Sequence, residues 1–296
     1  MKKFRGSYSV LVTPFTEDGS AVDEKALRRL VEWQVEQGAP GIIMLGSTGE
    51  FLCVTDEERM LIVETTVDQI KGRIPVILGT AAEWTEGAIR YSKEAERLGA
   101  DGLMIVPPYY CVPKDEEIFT HFRRIGEAVS IPIMLYNNPF YSNVDLKPEM
   151  VARLAEIDTI RYIKESSGDI ARIQAILRLA GERMTVFAGY HAYDALLLGA
   201  KGWVSVSGNF MPRLSAQLFK ITVEQGDTAA GLALYDRMLP LINATDGDIA
   251  RTKATLKLVG IPCGQARAPR LPASAEDVDM LRTMLVEIGV LTDKAA

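Results

Sequence analysis

Short apolar runs rich in β-branched residues alternate with longer stretches of helical period along most of the chain. The runs cover residues 8–14, 41–45, 74–79, 102–106, 131–137, 160–165, 184–189 and 202–207. They are apolar throughout rather than alternating, which predicts strands buried on both faces, as in a parallel sheet covered by helices. Between them, residues 23–38, 55–72 and 86–100 read as amphipathic helices. Thr55 followed by acidic residues has the form of a helix start, and Gly38, Gly72 and Gly99 fall where helices should stop. Eight strand–helix units within about 220 residues fit an α/β fold, the (β/α)8 TIM barrel, which typically needs ~250 residues. The competing doubly wound open sheet would carry G-x-G-x-x-G after its first strand, but here that strand runs into "TPFTEDG". After residue 224 the strand signal stops. Residues 226–245, 247–259 and 275–290 predict helices, and the proline-rich stretch 260–274 predicts a loop. The expected organisation is a catalytic barrel over 1–224 with a C-terminal helical extension, 225–296, packed on it.

Composition narrows the function classes. The 296 residues are 48% hydrophobic and 24% charged, with a net charge of −6. A mildly acidic chain has no electrostatic reason to bind nucleic acid or an anionic membrane. No apolar run approaches the ~20 residues that span a bilayer, and no long apolar segment follows the basic N-terminus, so neither a membrane span nor a secretory signal is expected. Three scattered cysteines suggest reduced thiols in a cytoplasmic protein. Two histidines in the whole chain weigh against zinc chemistry.

In such a barrel the C-terminal ends of the strands build the active site. Strand two ends in "LGSTGEF", which puts Ser47, Thr48 and Gly49 in a glycine-flanked turn. Strand four ends in "VPPYYCVP", with Tyr109 and Tyr110, and strand five in "LYNNPFY", with Tyr136, Asn138 and Tyr141. Strand six ends in "YIKESSGD", with Lys164; strand seven leads to His191, and strand eight carries Val204 and Ser207 in "VSVSGNF". Each has a purely structural alternative. The "GSTGE" turn could only cap a helix, the tyrosines could be packing residues, and Ser207, Gly208 and Asn209 could cap the next helix. His191 could be a helix-start residue in solvent, and Lys164 could snorkel to water. What favours chemistry is their coincidence at one set of strand ends.

That set has a coherent use. Burying an ammonium without a partner is costly, so a lysine ending a buried strand is suited to act as an amine nucleophile on a ketone, forming a Schiff base. The protonated imine is an electron sink for cleavage beta to the imine carbon, and a neighbouring tyrosine can shuttle protons. The amides and hydroxyls of "GSTGE" form a nest suited to a carboxylate. A 2-oxo acid supplies both ketone and carboxylate, with neither cofactor nor metal required.

With "GSTGEF", "VPPYY", "YNNP", "IKESSGD" and "SVSGN" in this order at these strand ends, residues 5–225 resemble the dihydrodipicolinate synthase / N-acetylneuraminate lyase family of Schiff-base barrels. The resemblance implies Lys164 as the Schiff-base lysine, Tyr136 as the proton-transfer tyrosine, and Ser47 and Thr48 as carboxylate ligands, with Ser47 also in the proton relay. It implies that Tyr110 crosses from a neighbouring subunit, and that the assembly is a homotetramer, a dimer of dimers. Two positions depart from the family's patterns. The synthase pattern has an arginine where Tyr141 stands, and tyrosine cannot supply a bidentate cation to a substrate carboxylate. The sialic-acid lyase pattern has an acidic pair where His191 and Ala192 stand. Sequence reading therefore favours an aldolase, dehydratase or deaminase of a hydroxylated 2-oxo acid or cyclic imino acid, with Asn138, Tyr141 and His191 reading its distal end. Dihydrodipicolinate synthase itself is the alternative, and a non-catalytic small-molecule-binding barrel is the rival from another class. A pyridoxal-phosphate lysine enzyme would need a phosphate cradle near strands seven and eight, for which "SVSGNF" offers a single glycine.

Overall fold

In the computed structural model, which describes residues 3–292, eight parallel strands are hydrogen-bonded in chain order and the sheet closes on itself. They are β1 (Gly6–Val10), β2 (Ile42–Met44), β3 (Val76–Gly79), β4 (Gly102–Ile105), β5 (Ile133–Asn137), β6 (Ile160–Glu165), β7 (Thr185–Ala188) and β8 (Gly202–Ser205). The predicted barrel is the observed one, and the open sheet is excluded. All strands but β1 lie inside their predicted runs. β1 starts at Gly6 because the Gly6 N–H donates to the Lys201 carbonyl at 2.9 Å. It ends early because Asn209 intervenes. The Leu11 N–H still reaches the Ile43 carbonyl at 2.9 Å, but the Val12 N–H donates to the Asn209 side chain at 3.0 Å, and Pro14 has no N–H to give.

The helices are α1 (Glu24–Glu36), α2 (Asp56–Ile70), α3 (Thr85–Arg97), α4 (Asp115–Ala128), α5 (Pro139–Ser142) and α6 (Pro148–Leu154), followed by α7 (Ala171–Ala180), α8 (Ala192–Leu197), α9 (Pro212–Phe219), α10 (Thr228–Thr245), α11 (Ile249–Leu258) and α12 (Ala275–Glu287). Thr55 caps α2 as its sequence predicts: its hydroxyl accepts from the Glu58 N–H, and the Glu58 carboxylate accepts from the Thr55 N–H. Gly38, Gly72 and Gly99 have φ of 78°, 73° and 100°, the left-handed stop that residues with a side chain resist. Among the described residues no helix is long and apolar enough to cross a membrane.

The chain divides into two compact units. The first, residues 75–204 with the N-terminal residues up to Gly6, holds β3–β7, most of β8, and α3–α8. A ring stack anchors it: Phe4 lies 4.7 Å from Tyr162 between centroids, and Tyr162 meets Phe187 edge-on at 6.1 Å. The second unit, 7–74 with 205–296, joins the body of β1, β2, α1 and α2 to α9–α12. Its interior includes the fully buried Leu27, Leu30, Val31 and Ile62 of α1 and α2.

Candidate active site

In the first unit, β5 and β6 run side by side with Tyr136 opposite Lys164 and Asn137 opposite Glu165. Side chains alternate between faces of a strand, so these two pairs point opposite ways. Lys164 and Tyr136 are 7% and 6% exposed, and the Lys164 Nζ sits 4.1 Å from the centroid of the Tyr136 ring. The snorkelling alternative for Lys164 therefore fails. The Asn138 amide donates to the Tyr136 hydroxyl at 2.8 Å, leaving the phenolic hydrogen available to another acceptor. Its own buried Oδ1 has no hydrogen-bond partner. An amine held over a phenol, with that phenol oriented by an amide, is suited to carbonyl addition followed by proton transfer.

The opposite face holds a polar cluster that sequence reading missed. The Asn137 amide donates to Glu165 at 3.0 Å, its carbonyl oxygen accepts from the Leu146 N–H at 2.9 Å, and the Ser167 N–H donates to Glu165 at 2.6 Å. Burial pushes the Glu165 carboxyl up, against the pull of the Ser167 and Asn137 hydrogen bonds. Nearby, Arg172 grips Asp145 through both terminal nitrogens and holds that carboxyl below its usual range. The effect is to fix the ends of β5 and β6, and so the spacing of Tyr136 and Lys164. The missed signal was Glu165 itself, a second charged residue closing a buried strand.

The loop after β4 is held by Glu83, whose carboxylate accepts from the N–H groups of Tyr109, Tyr110 and Cys111 at 3.1, 2.9 and 2.9 Å. Burial alone would raise the Glu83 carboxyl, but these bonds keep it below its usual value. Tyr110, 88% exposed, projects from this loop, and Tyr141 on α5 is 63% exposed. His191 precedes α8 in the left-handed conformation, φ 51°, exposed and without a capping hydrogen bond. Val204 is buried in β8. The structure thus gathers Lys164, Tyr136 and Asn138, and leaves Tyr110, Tyr141 and His191 on the surface.

In the second unit, the turn after β2 exposes Ser47, half-buries Thr48 and buries Gly49. A Cβ on Gly49 would lie 3.1 Å from both the Leu11 carbonyl oxygen and the Leu45 nitrogen, so only glycine fits without displacement. The Thr13 hydroxyl donates to the Gly49 carbonyl at 2.6 Å, and the Glu50 N–H donates to the Ser47 carbonyl at 3.1 Å. The turn leads into a short 3-10 turn, Phe51–Cys53, whose start at Glu50 has no side-chain capping bond. Ser207 is buried with its hydroxyl 2.9 Å from that of Ser205. The capping alternative for Ser207, Gly208 and Asn209 is corrected: α9 begins after Met211 with no side-chain cap. Asn209 instead accepts from the Val12 N–H and donates to the Val10 carbonyl, which holds the exit of β1.

Residues 3–288 match the model of the dihydrodipicolinate synthetase family. A 4-hydroxy-tetrahydrodipicolinate synthase of Nitrobacter hamburgensis is 39% identical, with 98% of each chain covered. One of Pelobacter propionicus is also 39% identical, over 97% of this chain and all of its own. Among solved structures, a dihydrodipicolinate synthase of Acinetobacter baumannii, crystallised with pyruvate, superimposes with a TM-score of 0.93 at 34% identity, covering 98% of this chain and 100% of that one. That of Thermotoga maritima gives 0.93 at 33% identity, covering 97% and 99%.

Proposed function

The chain belongs to the dihydrodipicolinate synthetase family, and on that premise we propose that it is a lyase acting on pyruvate or a related 2-oxo acid through a Schiff base on Lys164. The observation that carries this reading is the buried Lys164 amine 4.1 Å from the Tyr136 ring. Lys164 Nζ adds to the ketone and water leaves, giving the imine. Loss of a proton from the adjacent methyl carbon gives an enamine, and Tyr136 moves the protons. Ser47, Thr48 and Gly49 hold the substrate carboxylate, with Ser47 also relaying protons. Asn138, Tyr141, His191, Val204 and Ser207 contact the rest of the substrate.

The names of the relatives favour condensation: the enamine attacks an aldehyde, as in a 4-hydroxy-tetrahydrodipicolinate synthase. The second reading is cleavage, dehydration or deamination of a hydroxylated 2-oxo acid or cyclic imino acid. It is supported by Tyr141, an exposed phenol where the synthase pattern has its carboxylate-binding arginine. Steady-state kinetics with pyruvate and aspartate semialdehyde separate the two. Turnover at the level of a dedicated synthase establishes condensation, and its absence beside cleavage of hydroxylated 2-oxo acids establishes the other. The same proposal includes the functional division into barrel (1–224) and helical extension (225–296), a cytoplasmic location, and a homotetramer to which Tyr110 contributes across subunits.

A further inference from the structure

The glutamate that closes "GSTGE" has no part in the chemistry above, yet it is the most enclosed charge near the turn. Glu50 is 2% exposed and adopts the left-handed conformation, φ 54°. Its carboxylate pairs with the Lys253 Nζ of α11 at 2.9 Å, both side chains being almost wholly buried. The other carboxylate oxygen accepts from the Arg267 backbone N–H at 2.9 Å. Lys253 also donates to the Gln265 carbonyl at 2.8 Å. Phe15 lies beneath both cations, its ring centroid 4.4 Å from the Lys253 Nζ and 4.1 Å from the Arg267 guanidinium carbon. The Arg267 guanidinium grips Glu58 at the start of α2 and donates to the Gly19 carbonyl. Burial pulls the Lys253 ammonium down while the Glu50 carboxylate holds it up.

We propose that Glu50 and Lys253 are positioning residues for the 2-oxo acid carboxylate, and that α11 thereby sets the geometry of the Ser47–Gly49 turn. The inference rests on the reading of that turn as the carboxylate site. The route is short: the Glu50 N–H is bonded to the Ser47 carbonyl, so whatever fixes Glu50 fixes the turn's amides. A buried ion pair is weak as a source of stability but strict about geometry. Amides displaced by a fraction of an ångström lose a carboxylate without losing the fold, and small misplacements are costly to rate and binding.

The test uses the full-length chain and borohydride trapping of pyruvate on Lys164. The paired variant Glu50→Gln/Lys253→Met removes both charges at nearly constant volume and leaves no lone buried ion. Its half-saturating pyruvate concentration is expected to rise about 10-fold or more, with the trapping rate at saturation within about 3-fold of the parent. A purely structural role would lower the melting temperature and leave that split unmoved. A folded paired variant with parental half-saturation overturns the inference. If the pair does not fold, Phe15→Leu, which thins the ring beneath both cations, takes its place: a rise of about 2- to 5-fold is expected, and none overturns the inference. Ser47→Ala is the control for the turn itself. If it raises half-saturation while the pair does not, the positioning role alone falls; if it too has no effect, the turn is not the carboxylate site and both readings fall.

Discussion

Lys164 and Tyr136 are register partners on adjacent parallel strands, and the ladder between β5 and β6 holds the amine over the phenol ring. Their relationship is set by backbone hydrogen bonds and so does not depend on a mobile loop.

Replacement of either partner should therefore separate two steps. Lys164→Ala is expected to abolish borohydride-dependent mass addition with pyruvate. Tyr136→Phe should still trap pyruvate but turn over about 100- to 10,000-fold more slowly, the usual worth of a positioned proton donor. Peptide mapping that put the adduct on another lysine would refute the assignment.

Tyr141→Arg tests specificity. A charge-assisted bidentate contact is worth about 1.5–3 kcal/mol. If Tyr141 stands at the carboxylate subsite of the aldehyde partner, the substitution should lower the KM for aspartate semialdehyde about 10-fold or more and leave pyruvate trapping unchanged. An unchanged KM would place that subsite elsewhere.

His121 gives a pH dependence of stability. It is 5% exposed, with Nδ1 3.0 Å from the Thr85 hydroxyl and a buried, unpartnered Nε2. Burial, reinforced by the Arg124 charge, lowers its pKa to about 4. Between that value and the unfolded value of about 6.5, the unfolded chain binds a proton that the native state refuses. Stability should therefore rise with pH through this window, by at most about 1.4 kcal/mol per unit, and gain nothing from His121 above it. Urea midpoints from pH 4.5 to 7.5 for the parent and His121→Asn check this; parallel curves would show that His121 is not the titrating group.

Glu83 should govern the order of the Tyr110 loop. Glu83→Ala removes the acceptor of three N–H groups, and hydrogen exchange at Tyr109, Tyr110 and Cys111 is expected to accelerate. Unchanged protection there would show that the loop is held by something else.

Sequence alone was most legible where a local pattern decides the outcome. Apolar runs became strands, Thr55 became a cap, and Lys164 stood out because a charge at the end of a buried strand demands a reason. It was least legible where a distant partner decides. Asn209 reads locally as a helix cap, but its side chain is taken by Val10 and Val12 near the other end of the chain. Glu165 and Glu50 read as ordinary acids until strand register supplies Asn137 and the helical extension supplies Lys253. Tyr110, on the loop after β4, and Tyr141, on α5, are named from the motifs, but both stand exposed on the surface.

The division of the chain also bears on how it is made. The unit built mainly from residues 75–204 is nearly contiguous, whereas the other draws on both ends. On a ribosome the contiguous part has almost its whole sequence available while α1 and α2, within residues 7–74, still await residues 205–296, the rest of their unit. Domains fold as they emerge, and contacts distant in sequence form slowly. The opening quarter of this protein is thus the part that must be shielded longest during synthesis. A truncation that removed residues 205–296 would leave it without the rest of its unit.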